Sequence, residues 1–155
     1  MKIIVFSDTH GFPDECNKVM EKYNDIDAII HAGDIERDEE YLKEKYADIP
    51  LYAVTGNNDF CPKLPEKLEF SLGGKKFFLT HGHRYSVRQG NYMLRELITQ
   101  NGYDVVVYGH THIPEHDYFG GGQILNPGSL FFSQTYGIIE IDGNNIDISI
   151  KKINE

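Results

Sequence analysis

The residues best suited to chemistry in this sequence are histidines and acidic residues that directly follow short apolar segments. His110 and His112 come after residues 104–108, a β-branched run typical of a buried strand. Residues two apart in a strand point to the same side, so these two imidazoles could bind one metal ion or two adjacent ones. Taken alone, the pair is about equally compatible with metal binding and with ordinary packing.

Four further predicted strands end in the same way, with polar side chains at the point where the strand stops. Each of these side chains, by itself, could also cap a helix or belong to a turn. The five predicted strands cover residues 2–7, 27–32, 51–54, 76–80 and 104–108, and the polar residues that follow them are Asp8, His10, Asp34, Asn57, His81, His110 and His112.

Helical segments separate the predicted strands. Pro13 suits a first helical turn, and the apolar spacing that follows it predicts a helix with Cys16 facing the core. Further helices are predicted over residues 36–47 and 88–101, the last ending at Gly102. The remaining sequence is rich in β segments: residues 67–72, which pair with 76–80 across Gly73 and Gly74, then 115–119, 123–125, 136–141 and 146–152.

Alternating β and α segments predict an α/β fold with a parallel sheet, and ligands of such sheets gather at the carboxyl ends of the strands. One shared site therefore explains the five strand ends better than five separate caps. The donors would be two carboxylates, one amide oxygen and four imidazoles, without a thiolate. This set favours Mn, Fe or Zn over calcium. Seven ligands are too many for one tetrahedral ion and suit two ions that share a bridging carboxylate.

Composition narrows the function further. A chain of 155 residues predicts a single domain over residues 1–155. The net charge of -9 argues against an extended nucleic-acid surface. Two cysteines are too few for a disulfide framework, and no apolar run is long enough to span a bilayer. These features predict a cytoplasmic protein without a membrane partner. A homo-oligomer is compatible with the sequence.

The order of the motifs resembles that of the calcineurin-like metallophosphoesterases, and the resemblance covers nearly the whole chain. It is most similar to the small prokaryotic phosphodiesterases of the YfcE type, which share the segment at residues 126–129. The motifs that carry the resemblance are Asp8-Thr9-His10, Gly33-Asp34, Gly56-Asn57-Asn58-Asp59, His81-Gly82-His83 and Gly109-His110-Thr111-His112.

The resemblance implies a fold of two packed mixed β-sheets flanked by helices, in four layers. It also implies a division of the ligands, in which Asp34 bridges two ions. Asp8, His10 and His112 would hold one ion, and Asn57, His81 and His110 the other. Mn²⁺ is the expected ion, with Ni²⁺, Fe²⁺, Zn²⁺ and Mg²⁺ as alternatives. The implied reaction is hydrolysis of a small phosphate diester by in-line attack of a metal-bound hydroxide.

Asn58 departs from the pattern of many family members, which have a histidine at this place. A neutral amide cannot protonate the leaving oxygen, and general acid catalysis typically contributes about 10²–10⁴-fold. Asp59 would lose the imidazole that it orients, and His83 is a candidate substitute donor. The small prokaryotic group also lacks this histidine and still hydrolyses activated diesters.

A scaffold function is the alternative to an enzyme. A retromer subunit with the same fold works by holding partner proteins, and the missing histidine at position 58 is compatible with such a role. A complete set of seven ligand positions favours the phosphodiesterase, because a scaffold has no need of it. The natural substrate is not specified by the sequence.

Overall fold

The β segments form two five-stranded sheets in the computed structural model, which describes residues 1–155. The strands are β1 (Lys2–Phe6), β2 (Ala28–His31), β3 (Leu51–Ala53), β4 (Lys67–Leu72), β5 (Lys75–Thr80), β6 (Val105–Val107), β7 (Glu115–Phe119), β8 (Gly122–Asn126), β9 (Thr135–Asp142) and β10 (Asn145–Lys152). The helices are α1 (Pro13–Met20), α2 (Glu36–Lys45) and α3 (Tyr92–Asn101).

Each sheet mixes parallel and antiparallel strands. The first sheet has the order β10-β9-β1-β2-β3, in which β1, β2 and β3 are parallel and β9 runs antiparallel to β1. The second sheet has the order β4-β5-β6-β8-β7, in which β5, β6 and β8 are parallel. Except for β3 at the edge of the first sheet, the parallel strands lie inside each sheet, where both of their faces are covered. This position explains why their sequences are continuous apolar runs.

The main core lies between the two sheets. Alternate residues of β1 and β2, such as Val5 and Ile30, pack there against Leu79 of β5 and Val107 of β6, and all four are fully buried. Alternate side chains of a strand point to opposite faces, so the intervening residues face outward toward the helices. The contact between the sheets therefore depends on apolar side chains from both of them.

The helices cover the two outer faces. On the first sheet, Cys16 of α1 and Leu42 of α2 pack on outward-facing residues of β1 and β2. On the second sheet, Leu94 and Ile98 of α3 pack on Phe78 of β5. The result is four layers, α-β-β-α, and the predicted fold class is confirmed. No helix has the length and apolar character needed to cross a membrane.

The predicted helix over residues 88–101 was wrong at its start. Residues Val87–Gln89 form a short 3-10 helix, and α3 begins only at Tyr92. Gly90 separates the two with φ 126°, a value that a right-handed helix cannot accommodate. Arg88 consequently lies in the short 3-10 helix, beside the carboxyl end of β6, and not on a face of α3.

Candidate metal centre

The seven polar residues that follow the strands come together at one edge of the two packed sheets. The carboxyl ends of β1, β2 and β3 deliver four of them from the first sheet, and those of β5 and β6 deliver three from the second. Contacts of hydrogen-bond length connect residues more than 100 positions apart, such as Asp8 and His112. The site thus forms only where the two sheets meet.

Asp8, His10 and His112 form one group of donor atoms. The Nε2 atom of His112 lies 3.0 Å from Oδ1 of Asp8 and 3.3 Å from Nε2 of His10. The Nε2 atom of His10 is 3.7 Å from the same Asp8 oxygen. One donor atom from each residue lies within 4.8 Å of the others, close enough to share a metal ion.

Asp8, Asp34 and His81 form a second such group. The Nε2 atom of His81 lies 3.5 Å from Oδ2 of Asp34 and 3.9 Å from Oδ1 of Asp8. Asp8 belongs to both groups, and the two groups are therefore adjacent. The bridging role of Asp34 stays a prediction, since the donor distances alone would also allow Asp8 to face both ions.

Asn57 and His110 complete the arrangement beside His81. The Oδ1 atom of Asn57 lies 3.0 Å from Nε2 of His81 and 2.8 Å from Nδ1 of His110. The Nδ1 atom of His81 lies 2.7 Å from the carbonyl oxygen of Ala32, and we infer that this nitrogen donates its proton there.

The lone pairs around Asn57 provide a test of whether the residues fit a cation. With the His81 proton on Nδ1, the lone pair of Nε2 faces the amide oxygen of Asn57. Two acceptors cannot hydrogen-bond to each other, and a cation between them removes their repulsion. Metal-binding histidines commonly donate their other ring N–H to a carbonyl in this way. The residues therefore fit a bound divalent ion.

The backbone at the candidate metal-binding residues is unusual, because five of the seven residues have positive φ although none is glycine. Such angles are uncommon for residues with a side chain and cost free energy, and they cluster at functional sites. The surrounding structure must therefore hold these loops against local backbone preference. The residues are Asp8 (φ 54°), His10 (50°), Asp34 (56°), His110 (69°) and His112 (60°).

Two glycines allow the carboxylates to approach the neighbouring loops. A Cβ atom on Gly56 would collide with the carboxylate of Asp34. One on Gly109 would collide with the hydroxyl of Ser7 and lie 2.7 Å from Oδ2 of Asp8. In both motifs the glycine is needed because another residue's carboxylate occupies the space that a side chain would fill.

Asp8 is buried and held in its ionised form. Burial alone would raise the pKa of Asp8, but the adjacent imidazoles of His10 and His112 hold that pKa well below its usual range. The hydroxyl of Ser7 and the backbone N–H of His110 also donate to Oδ2, at 2.5 and 3.0 Å. Asp8 is therefore available as an anionic ligand at neutral pH.

The other predicted site residues lie at the edge of this cluster. Asn58 donates to both oxygens of Asp34, from its backbone N–H at 3.0 Å and from Nδ2 at 2.6 Å. Asp59 accepts the backbone N–H groups of Glu36 and Gly56, each at 2.7 Å. These bonds give Asp59 a part in holding the loop to the start of α2, and its catalytic role stays a prediction.

The ring of His83 lies next to the rings of His81 and His110, which are two of the seven candidate donors. Its ring centroid is 5.6 Å from that of His81 and 6.1 Å from that of His110. Partial burial lowers the pKa of His83, and the nearby charge of Arg84 lowers it further. A neutral His83 at physiological pH has a lone pair to offer, and its role as a proton donor stays a prediction.

Two residues near the site were missed by the sequence reasoning. Arg88 places Nε 3.0 Å from Nε2 of His110, because the chain at Gly90 turns it toward β6. Glu39 lies 2.7 Å from Nδ1 of the buried His31, beneath the site. Glu39 precedes the buried Leu42 by three positions, on the same helix face. That spacing was the available signal for its burial.

Comparison with known proteins identifies relatives over most of the chain. Residues 1–144 match the family model of the calcineurin-like phosphoesterase superfamily domain. Phosphodiesterase MJ0936 of Methanocaldococcus jannaschii is 33% identical, over 92% of this chain and 94% of its own. A solved structure from Streptococcus pneumoniae, described as a predicted phosphoesterase, has a TM-score of 0.80 at 30% identity, covering 99% of this chain and 90% of that one.

Another relative, which is named for protein sorting, is also similar over most of its length. Vacuolar protein sorting-associated protein 29 of Schizosaccharomyces pombe is 29% identical, over 92% of this chain and 79% of its own. The relatives thus include proteins named for phosphoester hydrolysis and one named for protein sorting.

Proposed function

Because the chain belongs to the calcineurin-like phosphoesterase superfamily, we propose that it hydrolyses small phosphate diesters with the help of two bound divalent cations. The resemblance indicated by the sequence motifs is confirmed at the level of the family. The observation that carries the proposal is the convergence of seven oxygen and nitrogen donors, among them two adjacent groups that share Asp8. A phosphodiesterase relative of nearly equal length supports the choice of substrate class.

The donors divide between two ions in this proposal. Asp8, His10 and His112 hold the first ion, whereas Asn57, His81 and His110 hold the second, with Asp34 between them. When bound, two such ions activate water for attack on phosphorus and offset the charge of the phosphoryl oxygens. Mn²⁺ suits the mixed donors, and Ni²⁺, Fe²⁺, Zn²⁺ and Mg²⁺ are the alternatives.

The remaining polar residues orient the ligands and the substrate. Asn58 holds both oxygens of Asp34 in place through its two hydrogen bonds. The asparagine at position 58 therefore has a structural role, which the sequence alone did not indicate. Arg88 lies beside His110 at the edge of the site, where its guanidinium can bind a phosphoryl oxygen. His83 is the candidate proton donor to the leaving oxygen, a role for which it would first have to take up a proton, because burial lowers its pKa.

The test is a measurement of metal content and of hydrolysis on the same preparation. Protein reconstituted with manganese should contain about two ions per chain and hydrolyse bis-p-nitrophenyl phosphate. Chelation should abolish hydrolysis, and added manganese should restore it. Asp142→Asn is the matched control for Asp8→Asn, because it removes the same charge from the exposed end of β9. A ratio that never exceeds one at saturation would overturn the two-ion proposal.

A scaffold function is the second candidate, supported by the protein-sorting relative and by the absence of histidine at position 58. A scaffold of this fold would bind metal without turnover. Metal content near two with no hydrolysis of any activated diester would favour this function over the enzyme. Turnover that follows metal occupancy would exclude it as the main role.

A further inference from the structure

Three phenylalanine rings lie exposed next to the metal centre, although large apolar side chains are normally buried. Phe12 is 49% exposed, Phe131 38% and Phe132 60%. Phe12 and Phe131 are stacked with centroids 4.4 Å apart, and Phe131 meets Phe132 edge-on at 4.8 Å. These three rings form a continuous surface, called here the aromatic shelf.

The aromatic shelf is continuous with the proposed metal ligands. The ring of Phe132 lies 4.7 Å from the ring of His112 and nearly parallel to it, with an interplanar angle of 12°. The same ring meets the edge of His10 at 5.4 Å. A group attached to a phosphate at the metal centre would thus reach the shelf within the length of one ester linkage.

The local fold holds the shelf in place. Leu130 is buried, and its backbone N–H donates to the carbonyl of Ser7 at 3.1 Å. The hydroxyl of Ser129 donates to the carbonyl of Asp8 at 2.8 Å and accepts the N–H of Phe132 at 2.9 Å. The loop after β8 is therefore tied to the loop after β1. These bonds hold the loop that carries Phe131 and Phe132 in place relative to Asp8.

The size of the shelf favours a small ligand over a protein partner. Three phenylalanines of about 150–250 Å² each, roughly half exposed, offer on the order of 200–400 Å². A stable protein interface needs about 800 Å² per partner. Flat rings next to a phosphate site instead match the planar bases that stack on aromatic side chains in nucleic-acid-binding proteins.

We propose that the aromatic shelf binds the planar aromatic ester group of the substrate, such as a nucleobase, by stacking while the phosphate lies at the metal centre. The inference rests on the proposed function and adds a substrate class to it. Stacking should strengthen binding of an aromatic phosphate about tenfold over a matched compound without the ring.

The experiment measures binding by calorimetry on manganese-loaded protein, so that it does not depend on turnover. Adenosine 5′-monophosphate is compared with ribose 5-phosphate, which lacks only the base. Phenylphosphonate is compared with cyclohexylphosphonate, which is of similar size but not planar. Inorganic phosphate reports on the metal centre itself. The first compound of each pair should bind about tenfold more tightly.

Variants of one ring and a matched control locate the effect. Phe132→Leu should remove the preference in both pairs when affinities are expressed relative to that of inorganic phosphate for the same variant, whereas Phe132→Trp should keep the preference. Phe119→Leu is the control, because Phe119 is also 38% exposed but lies at the far end of β7, paired with Gly122. That variant should bind all five compounds like the wild type.

The outcomes separate this inference from the proposed function. Equal binding of the two compounds in each pair would overturn the proposed stacking on the aromatic shelf. An equal loss of the binding preference in Phe132→Leu and Phe119→Leu would overturn it as well. Hydrolysis of bis-p-nitrophenyl phosphate by the same preparation then shows whether the phosphodiesterase proposal stands without it. A protein that binds none of the five compounds and hydrolyses no diester would overturn both.

Discussion

The two sheets contribute different chemistry to the candidate metal centre. The first sheet supplies every oxygen donor, from Asp8, Asp34 and Asn57, together with one imidazole. The second sheet supplies only imidazoles, from His81, His110 and His112. Asp8 and Asp34 are buried, whereas His110 and His112 are partly exposed. The anionic donors thus lie at the bottom of the site, and two of the neutral donors lie at its mouth.

This difference shows that neither sheet carries a complete site. The first sheet alone would bring together carboxylates that repel one another, and the second alone would offer neutral nitrogens without a countercharge for a cation. Packing of the two apolar faces joins the two sets. Metal affinity should therefore depend both on the carboxylates of the first sheet and on the contact between the sheets.

The largest effect is expected from removing a first-sheet carboxylate. Asp34→Asn removes a charge from between the two proposed cation sites and places amide protons against the N–H groups of Asn58. We expect kcat to fall by about 10³-fold or more, a loss of several kcal/mol in charge stabilisation. His112→Ala, which removes one neutral donor of the second sheet, should cost only about 10²-fold. Steady-state kinetics at saturating manganese make the comparison, and equal losses would contradict the greater weight given to the carboxylates.

The contact between the sheets can be weakened away from the ligands. Leu79→Ala opens a cavity in the layer between the sheets and should lower the free energy of unfolding by about 2–5 kcal/mol. Leu94→Ala opens one between α3 and the second sheet, from an equally buried leucine. Urea unfolding should show similar losses, but only Leu79→Ala should also weaken manganese binding in calorimetry. Equal manganese affinity in the two variants would mean that the contact does not control the site.

Asn58, which follows β3, is a neutral amide and cannot donate a proton to the leaving oxygen. Asn58→His should increase turnover of an alkyl phosphate ester by about tenfold relative to bis-p-nitrophenyl phosphate, whose weakly basic leaving group needs little protonation. Asn58→Ala controls for the lost hydrogen bond to Asp34. The measurement is the ratio of kcat/KM for the two esters at equal metal content. An unchanged ratio would show that another group, such as His83, already supplies the proton.

The smallest expected effect concerns pH. Burial, with the nearby charge of Arg88, lowers the pKa of His110 to about 4. The His110 side chain of the unfolded chain takes up a proton near pH 6.5, whereas folded His110 stays neutral to about pH 4, so the contribution of His110 to the stability of the metal-free protein falls as pH falls through this range. Asp8 does not add to this pH dependence, because its pKa is lowered and its contribution to stability is lost only at lower pH.

His110→Gln should therefore flatten the pH dependence relative to the wild type. The difference should be about 1 kcal/mol between pH 6.5 and 4, reduced by solvent screening because His110 is partly exposed. Urea unfolding of chelator-treated protein at several pH values measures it, and His116→Gln is the control, since His116 lies on β7 outside the site. Parallel curves for the wild type and His110→Gln would contradict the assigned pKa.

The sequence predicted the elements well where a strong local pattern exists. The continuous apolar runs of β1, β2, β5 and β6 correspond to interior strands, and Pro13 begins α1 as expected. The prediction of Arg88 in the helix over residues 88–101 was wrong because the backbone angle of Gly90 separates Arg88 from α3. That angle depends on where the loop must pack, which is not a local property.

The sequence by itself determined that seven donors follow five strands, because donor chemistry and strand ends can be identified from residue types and their order. Only the tertiary structure decided which sheet supplies oxygen and which supplies nitrogen, and that Asp8 belongs to both donor groups. It also decided that Glu39 meets His31 and that three phenylalanines from two loops form one surface at the metal centre. These features arise from contacts between distant segments. Such contacts depend on how the two apolar sheet faces pack, and periodicity along the chain carries no information about that packing.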